Sequence, residues 1–155
     1  MRVYLAGTIC RDERMQAWRE QAAIRLGRHG IITVSPLRGK DFDKISKDGL
    51  TSDIPSRLFV ARDLQDIRTC DAMLLVWMKD LTGRQSIGTW SEMGIAMERQ
   101  LPLVVYTDDP KALKHPFVTY AAASICTTMD EAYERLVWLK GAPYVSFIDG
   151  AGPML

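Results

Sequence analysis

A run of small and polar residues that ends in Glu92 is the part of this sequence best suited to chemistry. The run Ser86-Ile87-Gly88-Thr89-Trp90-Ser91-Glu92 follows a mostly polar loop and opens a predicted helix. Gly88 permits close approach of a ligand to the backbone, and the first N–H groups of a helix can bind an anion or a polar group. The sequence therefore predicts a ligand site here, with the Glu92 carboxylate in the first helical turn.

The spacing of Thr89 and Glu92 also fits a purely structural role. In a capping box, a Thr at the N-cap is followed three residues later by a Glu that accepts a hydrogen bond from the N-cap N–H. From the local sequence alone this role is the more common outcome. Gly94 argues against it, because a Gly inside a helix costs about 1 kcal/mol relative to Ala and indicates close packing or a site.

Further candidate side chains lie on other predicted elements. Asp63 is one position away from the core-facing Leu64 and could reach the carboxyl end of a sheet, although a solvated helix face with Arg–Asp pairs is the commoner outcome. Tyr4 lies on the first predicted strand, where its hydroxyl could hydrogen-bond a carboxylate. His115 lies in a predicted loop, and His29 is the only other histidine. We therefore expect neither a metal nor a cofactor.

Apolar runs alternate with amphipathic helical patterns along the chain. The predicted strands are 3–6, 31–34, 72–77, 101–106 and 125–127, and the predicted helices are 12–29, 56–69, 87–99 and 130–139. This alternation predicts an α/β fold with a parallel sheet covered on both faces, and five strands suggest the flavodoxin-like (Rossmann-like) order. Ligands of such sheets bind beyond the carboxyl ends of the strands. That rule selects loops 7–14, 77–92 and 106–120, while the long polar segment 37–55 is a further functional candidate.

Composition narrows the class of partner. The 155 residues are predicted to form a single domain, 1–155, with 47 % apolar residues and a net charge of +1. A nearly neutral chain does not fit a nucleic-acid polymer as partner, so a small ligand is expected. Three scattered cysteines suit a reducing compartment, and no apolar stretch approaches the roughly 20 residues that span a bilayer. We therefore expect a cytoplasmic protein that does not bind membranes.

Three motifs together resemble the nucleoside 2-deoxyribosyltransferase superfamily, which also contains nucleoside 5'-monophosphate N-glycosidases. They are Tyr4-Leu5-Ala6-Gly7, Asp63-Leu64-Gln65-Asp66-Ile67 before Cys70-Asp71, and Gly88-Thr89-Trp90-Ser91-Glu92-Met93-Gly94-Ile95-Ala96. Each motif is weak alone, but the three occur in the family's order within residues 1–127. The resemblance outweighs the capping-box alternative for Glu92.

The resemblance implies a role for each catalytic candidate. Glu92 matches the nucleophile that forms a glycosyl ester at the anomeric carbon. Asp63 matches the carboxylate that assists the leaving base and later activates the acceptor, and Tyr4 matches the tyrosine that positions the nucleophile. Capture of the ester by a second nucleobase gives deoxyribosyl transfer, and capture by water gives hydrolysis. The expected substrate-binding residues are Gly7, Thr8, Ser86, Gly88, Thr89 and His115.

Ser86 leaves the substrate class open. Family transferases tend to carry an Asp six positions before the nucleophile, and it binds the sugar 5'-hydroxyl, whereas the monophosphate hydrolases tend to carry a Ser. Since an Asp would repel a phosphate dianion, Ser86 favours a nucleoside 5'-monophosphate N-glycosidase as the alternative, although Asp80 could align at the Asp position.

Two further expectations concern assembly and the absence of turnover. The resemblance implies a homo-oligomer in which residues 115–120 of a neighbouring subunit complete a pocket for a nucleoside or nucleotide and a free nucleobase. The alternative function from another class is that of a nucleotide sensor, which binds the nucleotide without cleaving it. The combination of Glu92, Asp63 and Tyr4 argues against the sensor, because a binding module has little need of two carboxylates beside a sugar.

Overall fold

The computed structural model of the chain describes residues 1–9, 14–39, 45–46, 49–50, 55–79 and 86–141. Its strands are β1 (Arg2–Gly7), β2 (Ile32–Val34), β3 (Ile45–Ser46), β4 (Gly49–Leu50), β5 (Ala72–Trp77), β6 (Leu103–Thr107) and β7 (Ser124–Cys126). Its helices are α1 (Arg14–Gly27), α2 (Ser56–Arg68), α3 (Ile87–Glu98), α4 (Pro116–Ala121) and α5 (Met129–Leu139), with a 3-10 turn at Ala112–Lys114.

Five of the strands form one parallel sheet in the order β2-β1-β5-β6-β7. This is the flavodoxin-like order, so the predicted fold class is confirmed. Strands β1 and β5 lie inside the sheet and are apolar almost throughout, as expected for strands covered on both faces. The first strand therefore carries Tyr4 into the middle of the molecule, where it aligns with Val34 and Met73.

Alternate residues of β1 face two separate cores. Val3 and Leu5 pack with α1 and α5 on one face of the sheet. Tyr4 and Ala6 pack on the other face with residues of α2, α3 and α4. Burial of each large apolar side chain contributes roughly 1.5–3 kcal/mol, so these contacts fix the strand against the helices that carry Asp63 and Glu92.

Helix α3 ends in a backbone motif that usually contains glycine. Leu101 N–H donates to Ala96 O at 2.9 Å and Gln100 N–H donates to Met97 O at 3.0 Å, which is the Schellman pattern. The residue at the left-handed position is Gln100, with φ of 53°. The end of α1 has the same pattern with Gly30 at that position, with φ of 64°. Gln100 therefore carries a steric cost that Gly30 avoids.

Two segments predicted as loops contain regular structure. Helix α4 occupies the end of the segment 106–120 and continues one residue past it; it begins at Pro116, a residue favoured at the first helical position, and it buries Val118. Six residues contain too few apolar positions to reveal a helical period. Strands β3 and β4, within 37–55, pair antiparallel, with Ile45 opposite Leu50. No helix in the described part of the chain is long and apolar enough to cross a bilayer.

Candidate active site

A hydrogen bond joins two of the predicted site residues across the sequence. The Tyr4 hydroxyl donates to Glu92 Oε1 at 2.7 Å, although the residues are 88 positions apart and lie on β1 and α3. Burial, followed by the charge of Glu92 and the hydrogen bond to it, raises the pKa of Tyr4 far above its ordinary value. Tyr4 is therefore a permanent hydrogen-bond donor that orients the Glu92 carboxylate.

The position of Glu92 within α3 differs from the sequence expectation. Helix α3 begins at Ile87, so Glu92 is its sixth residue and lies in the second turn rather than the first. The N-cap is Ser86, whose Oγ accepts from Thr89 N–H at 3.3 Å. Thr89 is thus inside the helix, and the capping-box alternative is wrong. The Glu92 side chain instead projects from the sheet-facing side of α3 toward Tyr4.

Asp63 lies near the same pair. Its side chain is only 14 % exposed, so the alternative of a solvated helix face is wrong for this residue. The charges of Asp63 and Asp66 both contribute to the raised pKa of Tyr4. Arg62 Nη2 lies 3.6 Å from Asp63 Oδ1. The fold therefore gathers Tyr4, Glu92 and Asp63, predicted from three separate motifs, on one face of the sheet.

The turn after β1 is rigidly packed. A Cβ added at Gly7 would lie 2.9 Å from Val76 O and 3.0 Å from the Trp18 ring, so only glycine fits there. The buried Arg19 guanidinium lies over Trp18 and donates to Gly7 O at 2.8 Å and to Thr8 O at 3.5 Å. Arg19 was not predicted as a site residue, because nothing in a helical pattern shows that an arginine turns inward.

The first turn of α3 presents hydroxyl groups and an open glycine. Thr89 is buried, and its Oγ1 has no hydrogen-bond partner among the described residues. Gly88 is exposed, and the nearest atom to a Cβ added there is Ser86 Oγ at 3.7 Å. This turn can therefore accept a polar ligand group close to the backbone.

His115 lies in a different environment. It precedes α4, its ring centroid is 4.8 Å from that of Trp90, and its buried Nδ1 has no hydrogen-bond partner within the described residues. It lines a cavity of about 450 Å³ between α3 and α4, together with Trp90, Met93, Gly94, Met97 and Phe117. Tyr4, Glu92 and Asp63 do not line this cavity, so the structure separates His115 from the other candidates.

Comparison with known proteins identifies the family. The family model described as nucleoside 2-deoxyribosyltransferase matches residues 3–137. The chain belongs to this family. The matched range contains all nine candidate site residues. Family membership indicates deoxyribosyltransferase-type activity, with small nucleosides and nucleobases as substrates.

Two solved structures share the fold of this nucleoside 2-deoxyribosyltransferase family member. The 2-deoxyribosyltransferase of Bacillus psychrosaccharolyticus is 15 % identical with a TM-score of 0.67, and the match covers 86 % of this chain and 90 % of the other. The enzyme of Leishmania mexicana is 13 % identical with a TM-score of 0.63, covering 88 % and 97 % respectively. A search of curated protein sequences gives no match.

In this deoxyribosyltransferase family member an ion pair on α2, three residues beyond Asp63, was also not predicted from the sequence. Arg38, in the turn after β2, donates to Asp66 through both terminal nitrogens. The sequence contains both residues, but no pattern connects positions 28 apart. Within the described ranges, no three His, Cys, Asp or Glu side chains are grouped as metal ligands would be.

Proposed function

We propose that this chain cleaves the N-glycosidic bond of a (2'-deoxy)nucleoside or nucleotide, with Glu92 as the covalent nucleophile. The hydrogen bond of 2.7 Å between Tyr4 and Glu92 is the observation that carries the proposal. A buried phenol that cannot ionise orients a carboxylate, and Asp63 supplies a second carboxyl group nearby. Retaining cleavage of a glycosidic bond usually uses two carboxyl groups with different surroundings, one as the nucleophile and one as the acid.

The first step forms a glycosyl ester. A carboxylate oxygen of Glu92 bonds to the anomeric carbon while the bond from that carbon to the base nitrogen breaks. The electron pair of the broken bond stays on the base, and the carboxylic acid form of Asp63 donates a proton to it. The products are a neutral free base, the glycosyl ester of Glu92 and the Asp63 carboxylate.

The second step reverses these roles. Asp63 accepts a proton from the acceptor, the acceptor bonds to the anomeric carbon, and the ester electrons return to Glu92. Tyr4 again donates to the released carboxylate. An incoming base gives a new nucleoside, and water gives the free sugar. Gly7, Thr8, Ser86, Gly88 and Thr89 are proposed to bind the substrate, since they border the end of β1 and the start of α3.

The first test is a paired chromatographic assay. One reaction contains deoxynucleosides and a second free base, and the other contains the matching 5'-monophosphates. New nucleoside in the first reaction supports transfer, whereas free base released mainly from monophosphates supports the hydrolase. Absence of turnover in both reactions, together with substrate binding by calorimetry, would favour the nucleotide sensor.

Variants of Glu92 test the nucleophile. Glu92→Gln keeps an oxygen that can accept from Tyr4, so the fold is retained while turnover falls by roughly a thousandfold or more. Glu92→Ala should also bind substrate without turnover. Glu98→Gln, an exposed position on the same helix, is the matched control and should retain wild-type rates. Normal activity of Glu92→Gln contradicts the assignment.

The monophosphate hydrolase is the second candidate function, and Ser86 is the residue that favours it. Its oxygen accepts from Thr89 N–H, so its hydroxyl hydrogen can point to a phosphate oxygen at the start of α3. Ser86→Ala should lower kcat/KM for monophosphates far more than for nucleosides. It also removes the N-cap, at a cost of about 1 kcal/mol in stability. Equal loss on both substrate classes would reject the phosphate contact.

We also propose that the chain forms a homo-oligomer through the α3–α4 surface. Phe117 and Tyr120 are 61 % and 84 % exposed there, and large exposed apolar groups mark interaction sites. Gly94 borders the cavity between the two helices, and a Cβ added to it would have no atom within 4 Å apart from the local backbone of its own helix. Light scattering after size exclusion should give a multiple of 17.5 kDa, and Phe117→Glu should reduce it. A wild-type monomer contradicts the proposal.

A further inference from the structure

Arg38 is held in a fixed orientation by a buried carboxylate. Both of its terminal nitrogens donate to Asp66, with an Nη2–Oδ1 distance of 2.6 Å. The Asp66 side chain is only 8 % exposed, whereas that of Arg38 remains 47 % exposed. A bidentate pair fixes the plane of the guanidinium as well as its position. Arg38 is therefore a positioned cation that a ligand can still reach.

The backbone around Arg38 is tied to the same helix. Arg62 of α2 donates to Pro36 O at 2.9 Å and to Arg38 O at 3.1 Å. Arg62 and Asp66 lie on either side of Asp63 in the sequence of α2. The turn after β2 is thus hydrogen-bonded to α2 through Arg62 and Asp66, which lie before and after the proposed proton donor Asp63.

The guanidinium also lies beside the side of α2 that carries Asp63, because Asp66 is three residues beyond Asp63 on the same helix. Hydrogen bonding to Asp66 raises the pKa of Arg38, and the charge of Asp63 acts in the same direction. A guanidinium has five N–H donors, and the Asp66 carboxylate takes two of them. Ser35 O accepts from Nη1 as well, at 3.5 Å. The side chain therefore keeps donor capacity on the side of α2 that carries Asp63.

We propose that Arg38 binds the nucleobase and selects bases that present oxo groups over bases that present amino groups. The inference rests on the proposed function and names the class of leaving base. As the glycosidic bond breaks, its electron pair moves onto the base and is shared with an exocyclic oxygen. A fixed cationic donor at that oxygen binds the transition state more strongly than the ground state. An amino group at the same position is itself a hydrogen-bond donor, so it cannot accept from Arg38, and the amino group and the guanidinium are both left without a partner.

The test compares pairs of substrates that differ at one exocyclic group. The ratio of kcat/KM for 2'-deoxyinosine to that for 2'-deoxyadenosine is measured, and likewise for 2'-deoxyuridine and 2'-deoxycytidine. Each substrate is also assayed as its 5'-monophosphate. The wild type should prefer the oxo member at least tenfold in one pair, and Arg38→Gln should lower that ratio at least tenfold. Asp66→Asn, which holds the guanidinium less firmly, should lower it by a smaller factor.

Two controls separate recognition from folding. Arg25→Gln breaks another Arg–Asp pair, with Asp130, on the opposite face of the sheet, and should leave the ratio unchanged. The double variant with Arg38→Gln and Asp66→Asn avoids leaving a buried carboxylate unpaired. It should fold and show the same lost preference as Arg38→Gln.

The outcomes distinguish this inference from the proposed function. If Arg38→Gln lowers kcat/KM equally for both substrates of each pair, so that the ratio is unchanged, Arg38 has only a structural role and the inference is overturned. A wild-type preference for amino bases would also overturn it. If no substrate is cleaved, the proposed function fails. Calorimetric binding of each pair of compounds to the wild type and to Arg38→Gln then measures the base preference separately from catalysis. A preference for the oxo compound that depends on Arg38 supports the inference, and the absence of that preference overturns it.

Discussion

At the scale of single residues, the Tyr4 hydroxyl is the atom on which the proposed site depends. It is buried under the sheet-facing side of α3 and donates to the Glu92 carboxylate. Tyr4→Phe removes this oxygen and keeps the ring that fills the core. We expect kcat to fall about 100-fold with little change in KM, because loss of one positioned donor typically has an effect of that size.

The control for Tyr4 is a second buried tyrosine. Tyr133 lies on α5 in the opposite core, so Tyr133→Phe should leave kcat unchanged. Steady-state kinetics of the two variants checks the prediction. If Tyr4→Phe retains the wild-type kcat, the hydroxyl does not orient the nucleophile and the site must be reassigned.

Some residues of the candidate site could be predicted from the sequence, and others could not. Tyr4, Asp63 and Glu92 lie in motifs whose order and residue types are distinctive. The turn of α3 that carries Glu92 was placed wrongly, because Ser86 and Thr89 are both good N-caps and only the fold decides between them. Arg38 had no such signal, since an ion pair is set by tertiary distance.

At the scale of secondary structure, the end of α3 gives a prediction about stability. Gln100 adopts a left-handed conformation, which costs an L-residue about 1–2 kcal/mol. Gln100→Gly removes that cost but adds roughly 0.5–1 kcal/mol of unfolded-state entropy. We expect a net gain of roughly 0.5–1 kcal/mol in the free energy of unfolding, measured by urea denaturation. Gln100→Ala should give no comparable gain, and a less stable glycine variant would contradict the argument.

The predictability of the elements follows from their length and burial. Strand β5 is a continuous apolar run, and its predicted bounds match the structure. Helix α5 carries a clear apolar face and was predicted to within one residue at its start. Helix α4 is six residues long, and β3 and β4 are two residues each, so none of them contains a full period of any pattern.

At the scale of the whole molecule, buried phenols predict a loss of stability at high pH. The pKa of Tyr4 is raised far above 10, and burial raises that of Tyr133 to about 12. Above pH 10 the unfolded chain loses these protons while the folded chain keeps them, so the unfolded state binds fewer protons and stability falls as pH rises. Each group should contribute a slope of about 1.4 kcal/mol per pH unit, and that of Tyr133 should end near pH 12.

Urea denaturation between pH 9 and 11.5 measures this slope. Tyr4→Phe and Tyr133→Phe should each remove the contribution of one tyrosine to this slope. The free energy of unfolding of both variants should therefore depend less on pH than that of the wild type. Parallel stability curves for wild type and Tyr4→Phe would show that the hydroxyl is not protected from ionisation in the folded state.

The overall topology was predictable because few arrangements satisfy the sequence. Strands that alternate with helices must run parallel with crossovers of one hand, which leaves the flavodoxin-like order among a small number of choices. The α1–α5 face and the α2–α3–α4 face follow from alternate residues of β1, such as Val3 and Tyr4. The antiparallel pairing of β3 with β4 has no counterpart in that reasoning.

The separation of 88 residues between Tyr4 and Glu92 also bears on how the protein gains and loses activity. The two residues meet only after β1 has joined the interior of the sheet and α3 has packed over it, and such distant contacts form slowly. No fragment that lacks either end of this span contains the pair. Catalytic activity should therefore return during refolding only in the last, global phase. The recovery of activity in an enzyme assay would then report when the native structure is complete.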